Sequence, residues 1–286
     1  MNEEISETKY NKLVISGGAV KGVAALGALQ YMYDNNRLNN IEEYVCTSIG
    51  SMICYLLCIG YTPVEIICYI STHQLLKKFI FGDILSVANG DGLYNWSIIQ
   101  NLLEKMTLDK IGKFLTLNEL HELTNRKMSV ITYNFTLKKE EILSYENHPH
   151  MNCILAIRLS SNLPFIFSRY KYLNCYYLDG GFINNFPINQ VKDDELCFAI
   201  NLSSYYSNNS SRIDGNFKFH YYLYDLLCTS AAINQKNSVE IANNMPGCDL
   251  LNLKLDINAI DFNINNQKLL DLFSQGFELC KDFFKE

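Results

Sequence analysis

The chain has 286 residues, of which 48% are hydrophobic and 19% are charged, and its net charge is −6. This composition excludes intrinsic disorder, which requires low hydrophobicity together with high net charge. It also argues against nucleic-acid binding, because phosphate neutralisation requires an excess of basic residues, whereas 24 Lys and Arg stand here against 30 Asp and Glu.

The amino-terminal part of the sequence predicts two strand-turn-helix units. Residues 1–11 are polar and acidic, so we expect an extension without a secretory signal and an intracellular, cytosolic protein. Residues 12–15 form a short apolar run that ends at two glycines, and residues 20–32 then repeat small and apolar side chains at helical spacing. A second run at 44–46 precedes another apolar helix at 51–59. Two such units indicate a parallel sheet covered by helices.

The rest of the chain continues to alternate predicted helices and strands. Thr62 to Glu65 combines a Thr cap, a Pro at the first helical position and a Glu three residues after the cap, so a helix should begin there. Residues 81–95 are rich in Gly, Asp and Asn and predict a loop. Further helices are predicted near 96–105, 152–160, 217–243 and 266–284, and strands near 128–135, 141–145, 195–202 and 249–255. Neither an internal repeat nor a linker interrupts this pattern.

The ten cysteines and the most apolar stretch are both interpreted as parts of the core. The cysteines lie in apolar runs and none are spaced C-x-x-C, so buried thiols are expected and a zinc site is not. Residues 53–70 form the most apolar stretch, but Gly60, Pro63 and Glu65 interrupt it. A membrane-spanning helix needs about 20 uninterrupted apolar residues, so this stretch is predicted to lie in the core.

A candidate nucleophile lies between the second predicted strand and the helix that follows it. Around Ser48 the sequence reads Cys-Thr-Ser-Ile-Gly, which departs from the G-x-S-x-G nucleophile elbow only at its first position. In that elbow a sharp strand-to-helix turn lifts the serine hydroxyl above the sheet. Taken alone, the same residues are also typical of a helix cap at an ordinary strand-helix turn.

A glycine-rich turn from Ser16 to Gly22 follows the first predicted strand. Its backbone amides could converge on an anion, aided by the amino terminus of the helix that it opens. The turn lacks the residues that nucleotide loops require. A Walker loop needs Ser or Thr directly after its lysine, but here Gly22 follows Lys21. A dinucleotide-binding fingerprint needs a glycine at the position that Ala19 occupies.

The third motif begins with Asp-Gly-Gly at Asp179 and ends at Pro187, and by itself it is a common turn signal. In this order, the three motifs resemble those of patatin-like phospholipases, a family of serine lipid acyl hydrolases. That family combines an S-G-G-G-x-[RK]-G loop, a G-x-S-x-G elbow and a downstream D-G-[GA] motif followed by N-N-x-P. The matching residues are Gly17, Gly18, Lys21, Gly22, Ser48, Gly50, Asp179, Gly180, Gly181, Asn184, Asn185 and Pro187.

The resemblance covers residues 12–202 and extends to a fourth segment. Residues 156–167, A-I-R-L-S-S-N-L-P-F-I-F, are similar to the part of the family in which a helix ends in a serine pair and a proline. The resemblance implies an α/β fold, a three-layer α/β/α sandwich with a mainly parallel central sheet. A single patatin-like domain is expected over 12–286, after the extension at 1–11.

The resemblance also implies a mechanism based on a Ser-Asp dyad. Ser48 would attack the ester carbonyl, Asp179 would accept its proton, and the amides of Gly17, Gly18 and Ala19 would bind the oxyanion. The remaining motif residues would support this arrangement: Lys21, Gly22, Gly50, Gly180 and Gly181. A glycerolipid or phospholipid at a membrane interface would be the substrate, with no metal or cofactor. An aspartate near its reference pKa of about 3.9 is a weak base, so we expect burial to raise the pKa of Asp179.

Two departures from the family pattern leave alternatives open. Ala19 replaces the third glycine of the loop, where a methyl group at positive φ would cost about 1 kcal/mol, and Cys46 replaces the first glycine of the elbow. The chain could therefore be a catalytically inactive lipid-binding or regulatory module. It could also be a Ser-Asp-His esterase, since Ser48, Asp179 and His220 follow the chain order of α/β-hydrolases. A serine after only the second strand does not suit that fold.

Two segments have the composition of a peripheral membrane contact. Residues 75–81 mix apolar and basic side chains, and residues 170–177 are rich in tyrosine. Both segments could instead pack against the core.

Overall fold

The computed structural model describes residues 10–79, 91–192, 194–204 and 219–285. Within these residues eight strands form one sheet. The strands are β1 Lys12–Ile15, β2 Glu43–Thr47, β3 Lys127–Asn134, β4 Lys139–Leu143, β5 Tyr170–Tyr172, β6 Cys175–Asp179, β7 Cys197–Ser204 and β8 Cys248–Leu255. Residues 81–90 of the predicted loop lie outside the described residues.

The helices lie between the strands, as the alternating pattern predicts. They are α1 Gly22–Asp34, α2 Ile49–Cys58, α3 Pro63–Thr72, α4 Ser97–Ile111, α5 Leu117–Thr124, α6 Cys153–Ser160, α7 Gly181–Asn184, α8 Phe219–Asn244 and α9 Asn266–Phe283. The helix start predicted at Thr62 is confirmed. The Thr62 hydroxyl accepts a hydrogen bond from the Glu65 N–H at 3.2 Å, and the Glu65 carboxylate accepts one from the Thr62 N–H at 2.7 Å.

The sheet is mainly parallel, as expected. Its strand order is β5-β6-β3-β2-β1-β7-β8, and β3, β2, β1, β7 and β8 run parallel to one another. Strands β4 and β6 run antiparallel to β3, and β5 runs antiparallel to β6. The antiparallel strands thus gather at one end of a parallel sheet.

Alternating side chains cover the two faces of the sheet with different helices. Leu13 and Ile15 belong to a large apolar cluster that packs with helices α1, α2 and α9. Val14 and Val45 point to the other face and belong to a second cluster, which includes Ala242 of α8. Because helices lie on both faces, the fold is the expected α/β/α sandwich.

Strand pairing along β3 positions the residues of the site. The last residue of β2, Thr47, pairs with Ile131, and the last residue of β6, Asp179, pairs with the next position, Thr132. Strand β4 pairs with both of these β3 residues on the opposite edge. The carboxyl ends of β2 and β6 therefore approach each other on the same edge of β3. Ser48 directly follows β2, so this arrangement brings it to Asp179.

Within the described residues, no single helix is both long and apolar enough to cross a membrane. Helices α2 and α3, which contain most of the apolar stretch at 53–70, pass that test only as a pair that is bent by 116°.

Candidate active site

Ser48 lies at a strained turn between β2 and α2. Its backbone has φ 54° and ψ −121°, which is unfavourable for a residue with a Cβ. The Ser48 N–H donates to the Ser160 hydroxyl at 2.9 Å, and that hydroxyl donates to the Ile131 carbonyl at 2.6 Å. A Cβ on Gly50 would lie 2.5 Å from the Ile15 carbonyl oxygen, so only glycine lets α2 approach β1 this closely. Long-range contacts thus hold the elbow in its strained form.

The side chains of Ser48 and Asp179 are in direct contact. The Ser48 hydroxyl donates to Oδ2 of Asp179 at 2.6 Å, and the Gly181 N–H donates to Oδ1 at 2.7 Å. Asp179 is only 2% exposed, and this burial raises the pKa of its carboxyl to about 7, against the lowering effect of both hydrogen bonds. At neutral pH the carboxyl is therefore close to half ionised, which suits a general base.

A short segment after α6 ties the elbow to the aspartate. The Asp179 N–H donates to the carbonyl of Asn162 at 3.0 Å, and the Gly180 N–H donates to the carbonyl of Ser160 at 3.0 Å. Since Ser160 also binds the Ser48 amide, two residues, Ser160 and Asn162, hold the backbone of both Ser48 and the Asp179 turn. We did not predict these roles from the sequence, although the serine pair in the fourth motif was the available signal.

Arg158 supports this segment from below the site. It is buried, and its Nη1 donates to the Asn162 side-chain oxygen at 2.6 Å. Its guanidinium carbon lies 4.9 Å from the ring centre of Trp96 and 5.0 Å from that of Tyr170. Burial lowers the pKa of Arg158 to about 10, so the side chain remains charged at neutral pH. In the described part of the chain, no carboxylate forms an ion pair with it.

The glycine-rich turn packs directly against the elbow. A Cβ on Gly17 would lie 3.3 Å from the Ser48 Cβ and 2.3 Å from the Asn185 side-chain oxygen. The Gly17 N–H, which we expected to bind the oxyanion, donates to the Asn185 carbonyl at 3.0 Å. Among the described residues, the amides of Gly18 and Ala19 have no acceptor. Ala19 has φ 47°, so its methyl group does occupy the unfavourable left-handed region.

The other motif residues lie where backbone segments approach closely. A Cβ on Gly180 would lie 2.2 Å from the Ile131 carbonyl oxygen, and one on Gly22 would lie 2.4 Å from the Ile49 side chain. Lys21 is buried at the junction of the turn and α1. These residues shape the site, and Gly181 contacts the aspartate through its amide.

An apolar cavity opens beside Ser48. It encloses about 900 Å³ of empty space, including the part open to solvent, and 22 residues line it. Only two of these, Ser48 and Ser161, carry a polar side-chain atom. The Ser161 hydroxyl donates to the Ile157 carbonyl at 2.7 Å and accepts from the Trp96 indole at 3.1 Å. Ser48 is therefore the polar lining residue whose hydroxyl faces a potential base.

The first candidate membrane segment contributes to this cavity. Leu75, Leu76 and Phe79 line it, and these three side chains pack inward, as the alternative interpretation expects. Residues 80–81 and the side chain of His220 lie outside the described residues. No group of three or more His, Cys, Asp or Glu side chains in the described ranges is arranged to hold a metal ion.

Comparison with known proteins shows the family of the chain. The family model described as patatin-like phospholipase matches residues 13–192, which contain the glycine-rich turn, Ser48 and Asp179. The chain belongs to the patatin-like phospholipase family. A probable lipid hydrolase of Invertebrate iridescent virus 6 is 37% identical to this patatin-like protein over 216 residues, covering 70% of this chain and 73% of the relative. An uncharacterized protein of Acanthamoeba polyphaga mimivirus is 28% identical over 294 residues, covering 98% and 95%.

Solved structures share the fold of this patatin-like protein. VipD from Legionella pneumophila aligns with a TM-score of 0.57 and 16% identity, covering 97% of this chain and 67% of VipD. The type III effector protein ExoU aligns with a TM-score of 0.52 and 14% identity, covering 97% of this chain and 53% of ExoU. These likenesses confirm the predicted fold class, and the family match confirms the resemblance drawn from the motifs.

Proposed function

We propose that this patatin-like lipid hydrolase is a serine-dependent enzyme of the phospholipase A type, which cleaves carboxylic esters of glycerolipids. One observation carries the proposal. The Ser48 hydroxyl lies 2.6 Å from a buried carboxylate oxygen of Asp179 and at the wall of an apolar cavity. A nucleophile, its base and a binding site for an acyl chain thus occur together.

Acylation begins with the proton of Ser48. As the Ser48 Oγ attacks the acyl carbonyl carbon, its proton passes to Oδ2 of Asp179, and the carbonyl oxygen becomes an oxyanion. The tetrahedral intermediate then expels the glycerol oxygen, which takes the proton back from Asp179. Water repeats the sequence on the acyl-enzyme, giving a fatty acid and free Ser48. A carboxyl group with a pKa of about 7 serves both as base and as acid in this cycle.

The proposed oxyanion donors are the amides of Gly18 and Ala19. Both lack an acceptor among the described residues, and they lie at the amino-terminal end of the helical segment that leads into α1. In comparable sites the loss of one such donor costs about 3–4 kcal/mol of transition-state stabilisation. Gly17 has a different role, since its bond to Asn185 holds the turn against the elbow.

The cavity supports a long, unbranched acyl chain as the bound part of the substrate. Apart from the two serines, its lining is apolar, and most of it comes from α1, α2, α3, α4 and the segment at 75–79. Each methylene transferred from water into such a cavity contributes about 0.8 kcal/mol. The lipid hydrolase relative of the iridescent virus supports the same substrate class.

Specific observations favour this proposal over the two alternatives. Cys46 is buried, with its thiol directed to the Ser129 carbonyl at 3.6 Å, and Ala19 keeps its amide available despite its methyl group. Neither departure therefore removes a group that an active enzyme needs. A Ser-Asp-His triad would place an imidazole between Ser48 and Asp179, whose side chains are instead in direct contact.

A fluorophosphonate probe tests the proposal. We expect covalent labelling of the wild-type protein and none of Ser48→Ala, with Ser274→Ala, an exposed serine on α9, as the matched control. Mass spectrometry of products from mixed-lipid vesicles should then show fatty acid release that depends on Ser48. Absence of labelling of folded wild-type protein would favour the inactive module. Near-complete loss of turnover in His220→Ala would favour the triad.

A further inference from the structure

Two turns beyond the carboxyl end of β3 form one surface. Residues 135–138 connect β3 to β4, and residues 173–174 connect β5 to β6. The Phe135 N–H donates to the Tyr176 carbonyl at 2.9 Å, and the Tyr176 N–H donates to the Thr136 hydroxyl at 2.8 Å. These two hydrogen bonds fix the turns beside each other.

Large apolar side chains on both turns, together with Tyr176 at the start of β6, are exposed to solvent. We call them the carboxyl-edge patch, and they are Phe135 (45% exposed), Leu137 (55%), Leu173 (77%) and Tyr176 (42%). Of the large apolar side chains that the structure describes, Leu173 is the most exposed. Scattered single exposures are ordinary in soluble proteins, but neighbouring ones on adjoining turns indicate a contact surface.

Leu173 has a backbone conformation that leucine disfavours. Leu173 has φ 44° and Asn174 has φ 62°, as in the type I′ turn that joins two-residue hairpins. Asn and Gly are preferred at both positions, whereas a leucine is disfavoured in left-handed backbone. An exposed leucine at such a position neither packs in the core nor suits its turn, so its role concerns something outside the chain.

Two lysines lie beside the patch, although the chain as a whole carries a charge of −6. Lys138 and Lys171 are exposed, and their Nζ atoms lie 3.3 Å and 5.8 Å from the ring centres of Phe135 and Tyr176. Lysines beside exposed leucine and aromatic side chains match the boundary between anionic headgroups and acyl chains.

The patch lies at the same edge of the sheet as the active site. Strand β6 pairs Tyr177 with Asn134, the last residue of β3, so Cys175 and the turn before it extend past the carboxyl end of β3. Ser48 follows the carboxyl end of β2, which runs parallel to β3. From Leu173 to Asp179 the chain advances six residues, roughly 20 Å in strand conformation. A bilayer in contact with the patch would therefore face the sheet edge at which Ser48 and Asp179 lie.

We propose that the carboxyl-edge patch is the surface through which this protein binds bilayers that contain anionic lipid. Leu137 and Leu173 enter the acyl boundary, Tyr176 and Phe135 lie at headgroup level, and the lysines contact lipid phosphates. The proposal rests on the proposed function, since a lipid hydrolase has to reach its substrate at an interface. The proposal also gives a role to the second candidate membrane segment of the sequence, the tyrosine-rich residues 170–177.

Vesicle cosedimentation of the full chain tests the patch separately from catalysis. In a Ser48→Ala background, which cannot consume the lipid, we compare Leu173→Asn with the matched control Leu123→Gln, an exposed leucine on α5 before the amino end of β3. On vesicles of phosphatidylcholine and phosphatidylserine, Leu173→Asn should weaken binding about tenfold, because one leucine no longer leaves water, and Leu123→Gln should not change it. Asparagine tolerates the left-handed backbone at position 173 better than leucine does, so this variant should fold at least as well as its Ser48→Ala parent.

Charge reversal supplies an independent readout. Lys138→Glu and Lys171→Glu should each weaken binding at least about fivefold at low salt, and binding to phosphatidylcholine alone should be weaker than to the mixed vesicles. Equal binding of Leu173→Asn and its parent would overturn the proposal, even if hydrolysis is observed. Self-association that Leu173→Asn abolishes, with vesicle binding unchanged, would overturn it in favour of a second copy of the chain. If the wild-type protein does not hydrolyse lipid but its vesicle binding depends on the patch, the proposed enzymatic function is refuted and the membrane-binding surface is not.

Discussion

Replacement of Asp179 by asparagine should stabilise the fold at neutral and alkaline pH while abolishing activity. Burial raises the pKa of the Asp179 carboxyl from 3.8 to about 7. The native state therefore holds this proton more tightly than the unfolded chain does. Between these two pKa values the native state binds more protons, so the free energy of unfolding falls as pH rises through this window.

The pKa shift sets the size of the expected effect. A rise of about 3 pKa units corresponds to about 4 kcal/mol, since one unit is worth 1.36 kcal/mol. Above about pH 7 the wild-type protein bears this whole cost of an ionised buried carboxylate, and below about pH 4 it bears none. Asparagine carries no charge, and its side-chain oxygen can still accept the Gly181 N–H that Asp179 binds. We therefore expect Asp179→Asn to be more stable by up to about 4 kcal/mol at pH 8, with a difference that disappears in acid.

Urea unfolding of both proteins at several pH values measures this difference. Ser48→Ala is the control, because it keeps the titrating carboxyl and loses the hydrogen bond that lowers its pKa. Its stability should therefore still fall with pH from the same lower limit, and the fall should continue to a higher pH than in the wild-type protein. If the free energy of unfolding depends on pH in the same way for the wild-type protein and Asp179→Asn, the reasoning is refuted. That result would mean that the Asp179 carboxyl has the same pKa in the native and unfolded states.

Four further changes test other contacts of the site. Hydrolysis should fall about tenfold per pH unit below the Asp179 pKa of about 7, because protonation removes the base; a flat kcat profile between about pH 5 and pH 8 would contradict this. Ser160→Ala leaves the Ser48 amide without its hydrogen-bond acceptor, so it should lower kcat and should also lower the free energy of unfolding by about 1–3 kcal/mol. An unchanged kcat would exclude Ser160 as a positioning residue. Ala19→Gly relieves a left-handed alanine and keeps the backbone amide, so probe labelling should be fully retained, with a stability gain of at most about 1 kcal/mol in thermal unfolding. Lost labelling would mean that the site depends on the Ala19 methyl group and not on the amide alone. Ile70→Trp narrows the cavity and should shift fatty acid release toward shorter chains; an unchanged product distribution would place the acyl chain elsewhere.

Local patterns in the sequence were sufficient for the fold class and for the two side chains, Ser48 and Asp179, that the structure brings into contact. The strand-turn-helix order predicts a parallel sheet because apolar periodicity and turn residues act on neighbouring positions. The same applies to the cap at Thr62, which depends on residues three apart. Ser48 and Asp179 were identified through motifs that each fit within a few residues.

Contacts between distant segments were decided only by the tertiary structure. The amide of Gly17 is occupied because β1 ends beside Asn185, and Ser160 holds the elbow because α6 ends beneath it. No local pattern records such a bond, since its partners lie more than a hundred residues apart. The raised pKa of Asp179 and the joining of two turns into one apolar patch have the same origin. Burial and hydrogen bonding across the chain depend on how the whole sheet pairs, whereas helices, strands and turns depend mainly on neighbouring side chains.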